Sequence, residues 1–125
     1  IELFGDGTQE RGFIYVTDLV DGLIEMMEAK VDGEPLNIGN AKEVVSMNQL
    51  AEKIIEISGK DLSIEHDLSM PTGTDKYAAD TTKMDEALDW EPSVALDDGI
   101  ERVYEWAEGE LEETKQTAVA DGGDR

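Results

Sequence analysis

No cysteine occurs among the 125 residues, so neither disulfide bonds nor thiol chemistry contributes to this protein. A single histidine, His66, cannot by itself build a transition-metal site. No apolar run approaches the ~20 residues that span a bilayer, and no signal peptide is visible. Positive charge is also scarce, with 10 Lys and Arg against 31 Asp and Glu and a net charge of −21. A nucleic-acid backbone or an anionic membrane surface would be repelled, which excludes both as partners. The lack of cysteine fits a cytoplasmic protein.

What is present is enough to fold. Hydrophobic residues make up 39% of the chain and fall into amphipathic periods, so the sequence is not intrinsically disordered despite its charge. The length suits one domain with a modest core. The acidic residues are spread through the helical stretches rather than gathered in one block. They read as adaptation to high salt, where counter-ions screen the self-repulsion of a compact acidic chain, or else as an acidic surface for a basic partner.

The pattern predicts short elements. Glu2–Phe4 reads as the end of a strand, Gly5-Asp6-Gly7 as a turn, and Phe13–Val16 as an extended run. A helix is expected from Asp18 to Ala29 with Thr17 as N-cap, and with Leu19, Val20, Leu23, Ile24, Met26 and Met27 on one broad apolar face. Its two methionines read as core filler, and Gly22 as a point of close packing. After a turn at Asp32-Gly33, Pro35–Ile38 is expected to be a strand. Ser46 to Gln49 is a capping-box sequence that opens a helix closed by Gly59. Leu62–Glu65 reads as a strand, 70–75 as a loop and Lys76–Ala79 as briefly extended. Helices are expected over 82–88 and 96–111. The folded unit should cover residues 1–113, followed by a disordered acidic tail over 114–125. The sum is an α/β lobe, small and irregular, with about four helices and a few short strands.

Residues 3–21 carry the clearest chemical signal. A Gly-Asp-Gly turn leads through Gln9-x-Arg11 to an aromatic-rich stretch and the helix start at Thr17-Asp18. Arg11 is one of three arginines in the chain. A guanidinium beside a turn in so acidic a protein suggests an anion site, phosphate in particular, with pairing to Glu10 or Asp6 as the alternative. The pattern Gly5-Asp6-Gly7-x-Gln9-x-Arg11-x-Phe13-x-Tyr15-Val16-x-Asp18 resembles the extended short-chain dehydrogenase/reductases, the NAD-dependent nucleotide-sugar epimerases and dehydratases. Leu36-Asn37-Ile38-Gly39-Asn40 is similar to a later motif of that family. So is the stretch from Pro71 to Asp80 with Thr82-Lys83 and Leu88-Asp89-Trp90-Glu91-Pro92.

The resemblance implies the C-terminal, nucleotide-sugar-binding lobe of such an enzyme, most similar to dTDP-glucose 4,6-dehydratases and UDP-glucuronate decarboxylases, with UDP-glucose 4-epimerases close behind. It implies that the parent enzyme binds NAD through an N-terminal Rossmann domain. That domain's Tyr-x-x-x-Lys and Gly-x-x-Gly-x-x-Gly do not occur here: the residues four beyond Tyr15, Tyr77 and Tyr104 are Leu19, Thr81 and Glu108. The chain also begins with Ile1. The expectation is a lobe without its Rossmann domain and inactive alone, or alternatively a standalone acidic protein-interaction domain with the same fold.

By resemblance Arg11 would bind the substrate diphosphate, and Lys76 falls where relatives carry a basic residue. A bridge from Lys76 to Asp75 or Asp80 is the competing reading. Gln9 and Tyr15 would line the nucleotide pocket, although Tyr15 also suits core packing, and Asn37 would reach the substrate or cap a turn. His66 reads as exposed. The Asp-Gly clusters at Asp6, Asp97-Asp98 and Asp121 lack the twelve-residue spacing of a calcium loop.

Overall fold

The computed structural model describes residues 1–29, 33–71 and 73–121, with side chains as far as Thr114. Along the chain come β1 (Glu2–Phe4), β2 (Glu10–Gly12), α1 (Val16–Glu28), β3 (Val44–Ser46) and α2 (Met47–Ser58). β4 (Glu65–Asp67), β5 (Lys76–Tyr77), α3 (Thr82–Ala87) and α4 (Leu96–Asp121) follow. This is the α/β lobe of four helices and a few short strands. β1 runs parallel to β4, while β2 lies between antiparallel β3 and parallel β5.

The best-formed junction is the start of α2. Ser46 Oγ accepts the Gln49 amide at 3.1 Å, and Gln49 Oε1 accepts the Ser46 amide at 2.8 Å, so two otherwise orphaned donors are satisfied. The next amides are taken by the motif turn, Met47 N donating to the Gln9 carbonyl at 3.1 Å and Asn48 N to the Gly7 carbonyl at 3.0 Å. Gly59 closes the helix at φ +62, in the left-handed region. Gly7 has φ +72, and a Cβ there would overlap the Asn48 side-chain amide, so this turn needs glycine on two counts.

α1 turns a narrow face inward. Asp18 and Gly22, one turn apart, are its buried residues. A Cβ on Gly22 would lie 2.5 Å from Ile38 Cδ1 and 2.9 Å from Trp90 Cζ2, which is the close packing expected of that glycine. The broad apolar face does not become core. Val16, Val20, Leu23, Ile24 and Met27 are exposed, Met27 by 85%, and so it is not filler. The helix starts at Val16, with Tyr15 rather than Thr17 as N-cap and no side-chain cap bond. Among the described residues the buried apolar side chains are few: Leu3, Ala51, Met84 and Leu88.

Several boundaries moved because a strand exists only where a neighbour meets it. The first motif strand is Glu10–Gly12, the stretch flanked by β3 and β5, and not Phe13–Val16. β4 sits at Glu65–Asp67, beside β1, rather than at Leu62–Glu65. Pro35–Ile38 has no described strand alongside and is not one. Asp32 of the expected turn lies outside the described residues. α4 continues past Leu111, because no proline and no glycine follows Gly109 before Gly122. α4 runs as far as Asp121, and 122–125 lie outside the described residues.

Candidate functional site

β2 positions Arg11. Its Nη1 donates to the carbonyl oxygens of Glu10 at 2.7 Å and Thr74 at 2.9 Å, tying the strand to the loop before β5. The register sets Glu10 opposite Lys76 and Arg11 opposite Tyr77. Side chains alternate along a strand, so Arg11 and Lys76 lie on opposite faces of this ribbon. Lys76 Nζ is 2.8 Å from Glu10 Oε2, an exposed pair, and so its carboxylate partner is neither Asp75 nor Asp80.

Beside β2 is a polar cavity of about 340 Å³ whose wall includes Asp6, Gln9, Leu68, Met70 and Asp75. Gln9 Nε2 donates to the Phe4 carbonyl at 3.0 Å, while its Oε1 is buried and makes no hydrogen bond. Thr8 gives its hydroxyl at 2.7 Å and its amide at 3.0 Å to Asp6 Oδ1, which holds that carboxyl below the usual range. His66 is exposed, with Nε2 2.8 Å from Asn48 Oδ1, and Asn48 Nδ2 donates to the Asp6 carbonyl at 3.0 Å.

The remaining candidates lie elsewhere. Asn37 Nδ2 donates to the Asp80 carbonyl at 3.0 Å, on a second cavity of about 450 Å³ that also includes Gly12 and Tyr77. Tyr15 packs toward α4: a Cβ on Gly99 would lie 3.1 Å from its Cδ2, and the Arg102 guanidinium sits 5.3 Å from its ring centre. It lines an apolar groove of about 360 Å³ between α2 and α4, away from the cavity beside β2. The structure thus sets Gln9 on the wall of the cavity beside β2 and ties Arg11 to the Glu10 and Thr74 carbonyls, while Tyr15, Asn37 and Lys76 lie on other surfaces. Asp18, part of the opening motif, has a role the sequence did not disclose. Its carboxylate accepts from Ser93 N at 3.0 Å, Ser93 Oγ at 3.0 Å and Val94 N at 2.8 Å. The only sequence signal for that role was its place in the motif. Among the described residues no cluster of acidic, histidine or cysteine side chains could hold a metal ion, and no helix is long and apolar enough to cross a membrane.

The four helices, the short paired strands and the turn locked to α2 match the C-terminal part of nucleotide-sugar epimerase and dehydratase structures. Comparison with known proteins makes the class specific. Residues 1–103 match the family described as GDP-mannose 4,6 dehydratase. GDP-mannose 3,5-epimerase 1 of Oryza sativa subsp. indica is 35% identical over 118 residues, 94% of this chain and 30% of the relative. UDP-glucuronic acid decarboxylase 5 of Arabidopsis thaliana is 42% identical over 94 residues, 75% of this chain and 27% of the relative. The crystal structure of UDP-glucuronic acid 4-epimerase from Bacillus cereus, in complex with UDP-glucuronic acid and NAD, superposes with a TM-score of 0.78. Its identity is 34%, covering 86% of this chain and 35% of that one.

The chain belongs to the extended short-chain dehydrogenase/reductases, in the family of NAD-dependent nucleotide-sugar epimerases, dehydratases and decarboxylases. It spans about a third of the length of the curated relatives it matches. None of the described strands is followed by a Gly-x-x-Gly-x-x-Gly turn of the kind that cradles a dinucleotide.

Proposed function

We propose that this chain is the nucleotide-sugar-binding lobe of an NAD-dependent epimerase, dehydratase or decarboxylase, and that it catalyses nothing alone. In the whole enzyme, NAD and the catalytic tyrosine and lysine would come from a Rossmann domain. The lobe would hold the substrate so that its reacting carbon meets the cofactor. Arg11 binds the diphosphate, because a planar fork of donors can hold two phosphate oxygens at once. Gln9 completes the pocket. The place of Arg11 on β2, two residues from the cavity-lining Gln9 in a motif shared with the family, is the observation that carries this reading. Lys76 remains in its ion pair with Glu10, Asn37 acts at the margin near Tyr77, and Tyr15 holds α1 against α4.

Calorimetric titration with UDP and GDP in molar KCl tests the assignment. Binding should be weakened about tenfold or more by Arg11→Lys, which keeps the charge but loses the fork. Equal affinity in the variant would remove Arg11 from the site. The exposed apolar stripe of α1 favours a second reading, in which the lobe is an acidic interaction domain. A chain that binds neither nucleotide but captures a protein through that stripe would support it.

A further inference from the structure

The apolar groove between α2 and α4 has no part in the function proposed above, and its lining suits a ligand of another kind. It encloses about 360 Å³, within the range of small-molecule sites and too narrow for a helix ~10 Å across. Phe13 and Tyr15 from the stretch after β2, Leu50 and Ile54 from α2, and Ile100 and Tyr104 from α4 line it. Glu43 is the one charged residue among those that line it. Its backbone is anchored, the carbonyl accepting the Phe13 amide at 3.0 Å and the amide donating to the Asn40 carbonyl at 3.4 Å. The residue is half-buried, and among the described residues its carboxylate accepts no hydrogen bond and joins no ion pair.

The cations around the groove are engaged elsewhere. Lys53 bridges to Asp97, whose hydrogen bond raises the lysine's pKa, with Glu43 only a minor contributor. Lys60 bridges to Glu108 and lies 5.2 Å from the centre of the Tyr104 ring. Arg102 stacks on Tyr15. A hydrocarbon or aromatic body leaves water for a wall of this kind, and an ammonium at its end gives the Glu43 carboxylate the donors it lacks. Aromatic rings attract the same charge. The net charge of −21 draws cations toward the molecule and repels anions, a second copy of this chain included.

We propose that this groove is a second ligand site, separate from the cavity beside β2, and that it takes a small lipophilic amine. The ligand carries one ammonium group, seated at Glu43, on an uncharged hydrocarbon or aromatic body. The apolar wall supplies the affinity, and Glu43 supplies the selection for positive charge.

The test is calorimetric titration of the full chain and of Glu43→Gln with n-octylammonium, 1-octanol and octanoate, which share a hydrocarbon tail and differ in charge. KCl at 1 M screens attraction to the acidic surface at large, and circular dichroism checks that the variant is folded. The parent should bind octylammonium about tenfold more tightly than octanol, with octanoate weakest. In Glu43→Gln the ammonium should fall to the level of the alcohol, while octanol binds as it does to the parent. An ammonium preference that survives in Glu43→Gln assigns it to the whole chain's charge and overturns the proposal. Equal binding of ammonium and alcohol by the parent overturns it too. Tightest binding of octanoate would give the groove to an anion held by Arg102, and no saturable binding of any of the three would leave it without a ligand; either result sinks the amine site.

Discussion

Asp18 shows how much a single side chain decides in a molecule with so small a core. Its buried carboxylate receives two amides and a hydroxyl from Ser93 and Val94, and so anchors the first turn of α1 to the segment that leads into α4. A negative charge at a helix start is also favoured by the helix dipole. Asp18→Ala would leave the Ser93 and Val94 amides without their acceptor and should cost about 3 kcal/mol, measured by urea unfolding in molar KCl. A loss within about 0.5 kcal/mol would mean that water replaces the carboxylate without penalty. Gly22 acts at the same scale, since Ile38 and Trp90 occupy the space its side chain would need. That glycine was legible in the sequence as a packing point, but its partners were not, because they come from 16 and 68 residues further along.

At the scale of elements, α2 and α1 make a contrast. α2 was readable almost to the residue, since its capping box, buried Ala51 and glycine stop are all local signals. Ser46→Ala should lower stability by about 1 kcal/mol, read as a fall in the urea midpoint with an unchanged slope. A change in slope instead would show that the cap also shapes the unfolded ensemble. α1 was equally clear as a helix, yet its orientation was not. Periodicity says which residues share a face, and only the neighbours decide whether that face is covered. The neighbours of α1 cover Asp18 and Gly22 and leave Val20, Leu23, Ile24 and Met27 open. Strands suffered more than helices for the same reason. A strand's hydrogen bonds go to another segment, so the ladder settled at Glu10–Gly12, and Pro35–Ile38 did not become a strand.

At the scale of the whole molecule, charge is the dominant feature. The five lysine–carboxylate bridges among the described residues are mostly exposed, and such pairs contribute little individually. They do not offset a net charge of −21, so screening should stabilise the fold as a whole. Thermal melts by circular dichroism should show the midpoint rising by roughly 10 °C between 0.1 and 2 M KCl, equivalent to about 2 kcal/mol for a domain of this size. A flat response would sink the reading of the acidic surface as salt adaptation.

Local periodicity and capping chemistry by themselves determined the class of fold and the helices, because each is written within a few consecutive residues. The ordered motifs from Gly5 to Pro92 carried the family without any contact being known. Tertiary structure alone decided that Gln9 shares a cavity wall with Asp6 and Asp75, that Arg11 is tied to the Thr74 carbonyl, that Lys76 turns away to Glu10, and that Tyr15 belongs to the α4 interface. Those choices depend on strand register and on which faces meet, and both are set by segments tens of residues apart.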